Sequence, residues 1–366
     1  MVKIKNITQY LEYIAPTAYQ ESYDNSGLIV GDLNVECTGV LICLDSTEDI
    51  VNEAIAKGCN LIVAHHPIVF KGLKRFNGKN YVERTVIAAI KNDVAIYAIH
   101  TNLDNVFENG VNTMIAEKLG LKNCKILAPK RQILSKITTF CPIDATQKVL
   151  DALHESGAGQ IGDYKNCSFR NMGIGAFQPS GNANPHIGSI DKLEEVVENR
   201  LELIFPSYLT SKILQTLRTV HPYEEVAYYL TSLENANQEV GSGMIGDLET
   251  PSDELKFLTF IKTTMECGSI RHTDLLGKKI KRVAVCGGAG GFLLNDAISQ
   301  GADLFVTADY KYHEFFDADK KIIIADIGHY ESEKFTINLI YSLISKKFPN
   351  FAVNLTDKNT NPVNYL

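Results

Sequence analysis

Residues 40–63, VLICLDSTEDIVNEAIAKGCNLIV, carry the pattern from which the fold can be predicted. An apolar run of strand length comes first, a helical segment ending at Gly58 follows, and a second apolar run closes the stretch. Strands that are apolar on both faces and alternate with helices are typical of parallel sheets covered on both sides. The stretch therefore predicts a strand-helix-strand unit of an α/β protein.

The same unit occurs again near the end of the chain. Residues 283–306, VAVCGGAGGFLLNDAISQGADLFV, align with 40–63 without a gap, and eight of the aligned positions are identical. Each copy is followed by a further apolar strand, VAIYAIH at 94–100 and KIIIADI at 321–327. Chance similarity between two strand-helix-strand units explains these identities less well than duplication does, so we expect two related α/β halves.

The central part of the chain has a different pattern. Strands are predicted at 135–141, 167–176, 200–205 and 224–231, and helices at 145–157 and 207–219. This βαββαβ order is that of a ferredoxin-like α+β domain. We therefore predict one α/β metal-binding domain made of residues 1–128 and 236–366, interrupted by a ferredoxin-like insert at 129–235.

Composition and charge exclude several classes of protein. The 366 residues are 45% hydrophobic and 22% charged, as in soluble globular chains. The 36 Lys+Arg and 43 Asp+Glu give a net charge of −7, so no overall basic field attracts nucleic acid or anionic membrane. None of the eight cysteines forms a C-x-x-C pair, which disfavours a zinc-thiolate site and a disulfide scaffold.

No stretch approaches the ~20 apolar residues of a membrane span, and the amino terminus lacks the pattern of a signal peptide. The sequence therefore predicts a cytoplasmic protein without a membrane anchor.

Polar side chains follow three of the predicted strands. They are His65 and His66 in LIVAHHP, His100 and Asp104 in AIHTNLDN, and His329, Glu331 and Glu333 in IIIADIGHYESE. Ligands of open α/β sheets bind outside the carboxyl ends of the strands, so the three segments are expected to line one pocket built from both halves. Imidazole and carboxylate together suit Zn²⁺, Fe²⁺ or Mn²⁺.

The number of candidate ligands favours two metal ions. His329 and Glu333 are spaced i, i+4 and share a helix face, from which Glu331 points away. Any one cluster alone is more often structural, but the joint occurrence of three clusters at strand ends favours metal. Five ligands exceed what one catalytic zinc takes from a protein, which predicts a two-metal centre with a bridging carboxylate and water. The candidate ligands are His65, His66, Asp104, His329 and Glu333.

Two further segments are candidates for the same pocket. In VTADYKYH, Asp309 and His313 could act as acid or base and Lys311 could contact phosphate, or Lys311 and His313 could form a solvated surface strip. The glycine-rich turn CGGAGG at 286–291 could cradle an anion through its backbone amides, but it does not fit a dinucleotide fingerprint. In HPYEEVAYYL at 221–230, His221 is either a functional group or a plain edge residue.

In this order, DNSGLIVG, AHHP, HTNLD, VTADYKYH and GHYESE resemble the GTP cyclohydrolase 1 type 2 homologues, also known as the NIF-three-like family. The resemblance covers essentially the whole chain and extends to the long bacterial form, whose insert resembles the trimeric PII and CutA proteins. It implies metal ligands at the same five positions, zinc or iron as the usual metal, and a toroidal homohexamer. Many members carry Gly-Glu where this chain has Ala308-Asp309, which weakens any acid-base role of Asp309.

Two functions remain open at this point. The first is a metal-dependent hydrolase that attacks a nucleotide-like substrate through a metal-bridged water. In it, Asp309 or His313 would transfer protons, and Lys311 with the turn at Gly288 and Gly290 would meet the phosphates. The alternative is a non-catalytic, metal-stabilised hexameric regulator or scaffold whose PII-like insert senses a small molecule or binds a partner. Threading of nucleic acid through a ring is disfavoured by the net charge of −7.

Overall fold

The computed structural model describes residues 1–366 and divides them into two compact units. The first unit combines Met1–Pro129 with Glu239–Leu366, and the second is Lys130–Gln238. Helices and three sheets make the chain a mixed α/β protein, as predicted. None of its helices is both long and apolar enough to cross a membrane.

The helices, in chain order, are α1 (Ile4–Ile14), α2 (Glu48–Ala56), α3 (Tyr81–Lys91), α4 (Thr101–Asp104), α5 (Val111–Lys118), α6 (Thr146–Glu155), α7 (Thr210–Val220), α8 (Glu254–Thr264), α9 (Leu294–Ser299), α10 (His329–Glu333) and α11 (Thr336–Lys347). The strands are β1 (Gly27–Val30), β2 (Val40–Asp45), β3 (Leu61–His66), β4 (Ala95–Ala98), β5 (Leu121–Pro129), β6 (Leu134–Pro142), β7 (Phe169–Phe177), β8 (Glu194–Pro206), β9 (Tyr228–Leu233), β10 (Gly241–Asp253), β11 (Arg271–His272), β12 (Lys279–Ala289), β13 (Leu304–Ala308), β14 (Ile323–Asp326) and β15 (Val353–Leu355).

One sheet of the first unit has the strand order β1-β4-β3-β2-β15. Strands β15, β2, β3 and β4 are parallel, and β1 runs antiparallel to β4 at the edge. Helices α2 and α3 cover one face, where Ile50 and Val86 join the same apolar core as Leu41 of β2. Helix α2 begins after Thr47, whose side chain accepts a hydrogen bond from the Ile50 amide. Burial of each such apolar side chain contributes roughly 1.5–3 kcal/mol.

The other sheet of the first unit has the order β11-β14-β13-β12-β10-β5. Strands β12, β13 and β14 are parallel, and β10, β5 and β11 add antiparallel neighbours. Val283 pairs with Leu304 in this sheet, and Val40 pairs with Leu61 in the first one. These are equivalent positions of the two aligned stretches, so both sheets pair them in the same register.

The second unit contains one antiparallel sheet of order β7-β8-β6-β9. Helices α6 and α7 bury their apolar sides against it, and Leu153 and Leu217 share a core with Leu201 and Phe205 of β8. Two boundaries differ from the sequence-based expectation. Strand β8 begins at Glu194 rather than at residue 200, and β9 begins at Tyr228 because the chain after His221 turns back, with the Tyr223 amide bonded to the His221 ring.

Candidate metal centre

The parallel strands of both sheets in the first unit end at one cluster of histidines and carboxylates. Strand β3 ends in His65 and His66, and β4 leads into α4, which carries Asp104. Strand β14 leads through Gly328 into α10, whose first and last residues are His329 and Glu333. The structure therefore brings all five predicted ligands together.

Three groups of side chains could each hold a metal ion, since their potential ligand atoms lie within 4.8 Å of one another. The groups are His65, His66 and His100; His66, His329 and Glu333; and His65, Asp104 and Glu333. His100 belongs to one of these groups, although it was not among the five predicted metal ligands. Its position directly after the apolar strand β4 is the signal that could have found it.

Each histidine is oriented through its Nδ1 atom, which donates to an oxygen outside the cluster. His65 donates to the Ile99 carbonyl at 2.9 Å, and His66 donates to Asp45 at 2.8 Å. The remaining two pairs are His100 with Asp24 at 2.8 Å and His329 with Asp309 at 2.7 Å. Such outer partners fix the ring orientation and leave Nε2 available as the ligand atom.

Two carboxylates of this outer layer were not predicted as site residues. Asp45 is the last residue of β2, so the rule that polar residues at strand ends form the site could have found it. Asp24 lies in the DNSG segment and also accepts hydrogen bonds from the amide and hydroxyl groups of Thr101. Asp24 precedes an edge strand rather than following a buried one, so the strand-end rule does not identify it as a site residue.

The buried atoms of the cluster fit a cation. His65 Nε2 and Asp104 Oδ1 are buried without a hydrogen-bond partner, and they lie 3.6 Å apart. With Nδ1 of His65 as the donor and Asp104 ionised, both atoms are acceptors, so they cannot satisfy each other. Glu333 Oε1 lies 3.9 Å from His65 Nε2 as a third acceptor. A divalent cation among these three atoms would satisfy all of them.

The ionisation of the cluster also indicates a place for positive charge. Burial alone would lower the pKa of His66 and His329, but their carboxylate neighbours raise these pKa values to about 10 and about 11. Burial and the charge of Glu333 raise the pKa of Asp104 to about 7. Burial would likewise raise the pKa of Glu333, yet the surrounding histidines, His329 first, hold it well below its usual range. Metal binding would displace the protons on these histidines.

The cluster lies in a cleft of about 760 Å³. Arg271 is the only Lys or Arg side chain among the lining residues, and it donates to the Tyr310 carbonyl and to Asp326. The carboxyl-terminal segment contributes Asn361, Pro362, Val363 and Tyr365 to the lining.

The residues predicted from VTADYKYH are placed differently from one another. Asp309 lines the cleft and has a positive φ of 60°, and its carboxylate accepts from His329. Lys311 is outside the cleft lining, with a side chain that is 85% exposed and lies 3.7 Å from Glu314. His313 is also outside the lining, and its ring packs against those of Tyr312 and Phe316. The structure therefore keeps Asp309 near the histidines and separates Lys311 and His313 from them.

The glycine-rich turn has a different role from the predicted anion cradle. The amide of Gly288 donates to the Ser332 hydroxyl and the amide of Gly290 donates to the Thr307 hydroxyl, both at 2.9 Å. These two donors are consequently not free for a phosphate. A Cβ at Gly288 would lie 2.5 Å from Glu333 Oε1, so the turn supplies the space in which that carboxylate sits.

The fold and the site define an α/β protein with a histidine-carboxylate centre that could hold metal. The model of the family Duf34/NIF3 (NGG1p interacting factor 3) matches residues 2–362, and the chain belongs to this family.

Full-length relatives agree with this assignment. A Staphylococcus aureus (strain MSSA476) protein named GTP cyclohydrolase 1 type 2 homolog is 37% identical, with 100% of both chains covered. A Bacillus subtilis (strain 168) protein of the same name is also 37% identical, covering 99% of this chain and 98% of its own. The crystal structure of a Bacillus cereus protein related to NIF3 is 35% identical with a TM-score of 0.86, covering 100% of this chain and 99% of the other.

Proposed function

We propose that the chain is a metal-dependent hydrolase with a dinuclear divalent-metal centre, acting on a nucleotide-like substrate. The observation that carries this proposal is the pair of buried, unpartnered acceptors His65 Nε2 and Asp104 Oδ1 beside Glu333. Divalent ions in such a site supply Lewis-acid activation of water. Nitrogen and oxygen ligands suit Zn²⁺, and also Fe²⁺ or Mn²⁺.

The two oxygens of Glu333 support two ions rather than one. Oε1 faces His65, whereas Oε2 lies 2.9 Å from His66 Nε2 and 3.1 Å from His329 Nε2. Glu333 would therefore be shared between a group containing His65 and Asp104 and a group containing His66 and His329.

The other residues of the cleft have proposed roles in binding and proton transfer. Asp309 is the proton-transfer candidate, because its carboxylate lines the cleft and accepts from His329. The sequence suggested Lys311 as the residue that contacts phosphate. Arg271 is the better candidate for this contact, because Arg271 lines the cleft and Lys311 does not. The name of the relatives supports a nucleotide, and with GTP the reaction would hydrate C8 of the imidazole ring and release formate.

Metal analysis joined to a substrate screen tests this function. We expect close to two divalent ions per wild-type chain, and consumption of a substrate from a panel of nucleotides that Glu333→Gln leaves intact. Glu331→Gln is the matched control for metal content, since Glu331 lies on the same helix but accepts a hydrogen bond from Asn361 rather than from the histidines. A stoichiometry near one ion would contradict the dinuclear centre. A fully loaded protein that leaves the whole panel unchanged would contradict the hydrolase.

We further propose that the two α/β halves, 1–128 and 236–366, are related copies and that 129–235 is a ferredoxin-like, PII-like insert. The equal register at Val40/Leu61 and Val283/Leu304 supports the first point. The strand order β7-β8-β6-β9, with α6 and α7 on one face, supports the second.

This insert favours a second candidate function, a regulator or scaffold in which metal stabilises a homohexamer and the insert senses a ligand. A native mass measurement with and without chelator tests the assembly. A regulator predicts six chains per particle, metal-dependent mass and no substrate turnover.

A further inference from the structure

The second unit contains a cavity of about 640 Å³ that has no part in the proposed metal chemistry. Strands β6, β7, β8 and β9 and the segments 178–187 and 223–227 supply its lining residues. The HPYEEVAYYL stretch, which the metal centre does not use, provides five of them. They are Tyr223, Glu224, Glu225, Ala227 and Tyr229.

Aromatic rings form much of the wall. Tyr223 is central, with its ring centroid 6.0 Å from that of Phe177 and 5.1 Å from that of His221. Phe140 and Tyr229 form a second pair, with centroids 5.6 Å apart. The His221 ring is held in place, because Nε2 donates to the Phe140 carbonyl at 2.9 Å and Nδ1 accepts from the Tyr223 amide at 3.1 Å. Its function is therefore to support the wall.

A buried carboxylate without a cationic partner lies in this wall. Glu198, in the middle of β8, is only 8% exposed and takes part in no salt bridge. The buried hydroxyl of Tyr223 lies against this carboxylate: burial, and then a hydrogen bond to Glu198, raise the pKa of Tyr223. On the neighbouring strand, a Cβ at Gly175 would lie 2.2 Å from Glu198 Oε2, so the glycine leaves the space that this carboxylate occupies. A neutral hydroxyl leaves the buried negative charge of Glu198 without a counter-charge, which is costly, and a cationic ligand would supply one.

The charge of the lining indicates the sign of that ligand. Three carboxylates, Glu198, Glu224 and Glu225, face a single cation, Arg200. The Arg200 guanidinium donates to Glu202 at 2.5 Å, so it is engaged outside the lining set. An anionic ligand would meet this acidic excess and is disfavoured.

The chemistry of the walls favours an organic cation over a metal ion. All groups of side chains that could hold a metal lie in the first unit, whereas the cavity offers aromatic faces around a carboxylate. Aromatic faces attract ammonium groups through cation–π interaction, and a carboxylate adds a charge-assisted contact. We propose that the second unit binds a small ammonium-bearing molecule in this cavity, with Glu198 as its counter-charge and Tyr223 and Tyr229 as walls.

Calorimetric titration of the full-length chain with three probes, tetramethylammonium, choline and spermidine, tests the proposal. We expect saturable binding of at least one probe and a loss of about tenfold in affinity in Glu198→Gln, because a charge-assisted contact is removed. 3,3-Dimethylbutan-1-ol has the shape of choline without its charge and should bind at least about tenfold more weakly than choline. Glu249→Gln, at an exposed position of β10 in the first unit, is the matched control and should leave affinity unchanged.

Three results would overturn the proposal. One is the absence of binding for all three cations, and another is equal binding of choline and its uncharged analogue. The third is a Glu198→Gln variant that keeps wild-type affinity while its mass by light scattering changes, since the cavity would then be a contact between copies of the chain. Circular dichroism of Glu198→Gln establishes that a loss of affinity is not a loss of fold.

Discussion

Asp45 illustrates how a single residue orients a candidate metal ligand, the His66 ring. Its Oδ1 accepts from His66 Nδ1 and its Oδ2 accepts from Thr360, so the carboxylate is fixed from two sides. Its charge makes the His66 ring a better electron donor to a cation. The same arrangement recurs at Asp24 with His100 and at Asp309 with His329.

Asp45→Asn should therefore weaken metal binding roughly 10- to 100-fold, because the amide keeps the shape but loses the charge. Competition with a chromogenic chelator measures the affinity. Asp49→Asn removes an equivalent charge from an exposed position in the first turn of α2 and should leave affinity near wild type. Equal affinities for the Asp45 variant and wild type would show that the orientation of His66 does not depend on this charge.

Alanine substitutions at Gly288 and Gly277 distinguish the effect of backbone strain from the effect of steric contact with Glu333. Both have positive φ, +61° and +73°, so Ala costs about 1–2 kcal/mol of unfolding free energy at either position. Only at Gly288 would the added Cβ reach Glu333, at 2.5 Å, whereas nothing lies within 4 Å at Gly277. Gly288→Ala should therefore lose bound metal, measured by elemental analysis, and Gly277→Ala should retain it. Retention of metal by both variants would mean that Glu333 can move aside.

At the scale of elements, helix α2 anchors the carboxyl-terminal segment. Glu53 of α2 contacts Lys57 at 2.7 Å and accepts hydrogen bonds from the Thr356 hydroxyl and the Asp357 amide. Burial alone would raise the pKa of Glu53, but these hydrogen bonds, led by that of Lys57, lower it below the ordinary value of 4.5. The same segment continues to Thr360 and Asn361, which contact Asp45 and Glu331.

A lowered pKa in the folded state means that Glu53 stabilises the protein above about pH 4.5 and that this contribution is lost as pH falls below that value. Glu53→Gln should lower the unfolding free energy by about 1 kcal/mol at pH 7, and the difference from wild type should shrink at pH 3.5. Urea unfolding of the chelator-treated proteins measures both values.

The exposed pair of Glu48 and Arg84 provides the control for Glu53. Both side chains are 47% exposed, so Glu48→Gln should change stability little at either pH. If Glu53→Gln lowers the unfolding free energy as much at pH 3.5 as at pH 7, then Glu53 stabilises the protein through packing rather than through its charge.

At the scale of the whole molecule, the two compact units should respond separately to metal removal. The groups that could hold a metal lie in the first unit, and the second has its own core around Leu153, Leu201 and Phe205. Chelation with EDTA should therefore increase amide hydrogen exchange in α4, α10 and the end of β3, where ligands lose their common cation. Peptides from 130–238 should keep their protection, as measured by mass spectrometry.

Addition of choline should affect only the second unit. Amide hydrogen exchange is expected to slow only in peptides that line the cavity of that unit. Loss of protection throughout 130–238 on chelation would contradict independent units. Unchanged exchange around His65 and Glu333 would contradict metal binding at the centre.

Much of the fold and of the centre follows from local pattern. Apolar runs such as 40–44 and 61–64 define buried parallel strands, because only a strand covered on both faces lacks a polar side. His65, His66 and Asp104 come together because the parallel strands β3 and β4 end at the same edge of one sheet, and His329 and Glu333 follow β14 of the other sheet in the same way. The family likewise follows from motifs that the sequence displays in order.

Tertiary structure decided which partners each group has, since these partners are distant in the sequence. The Gly288 and Gly290 amides are occupied by Ser332 and Thr307, and Lys311 and His313 lie outside the cleft lining that includes Asp309. Asp24 joined the centre through its contact with His100, which no local pattern in the sequence indicates. Sequence alone thus determined which residues could carry the chemistry. Three-dimensional packing decided which of them have free atoms, because hydrogen bonds and burial depend on neighbours that the chain brings together only when it folds.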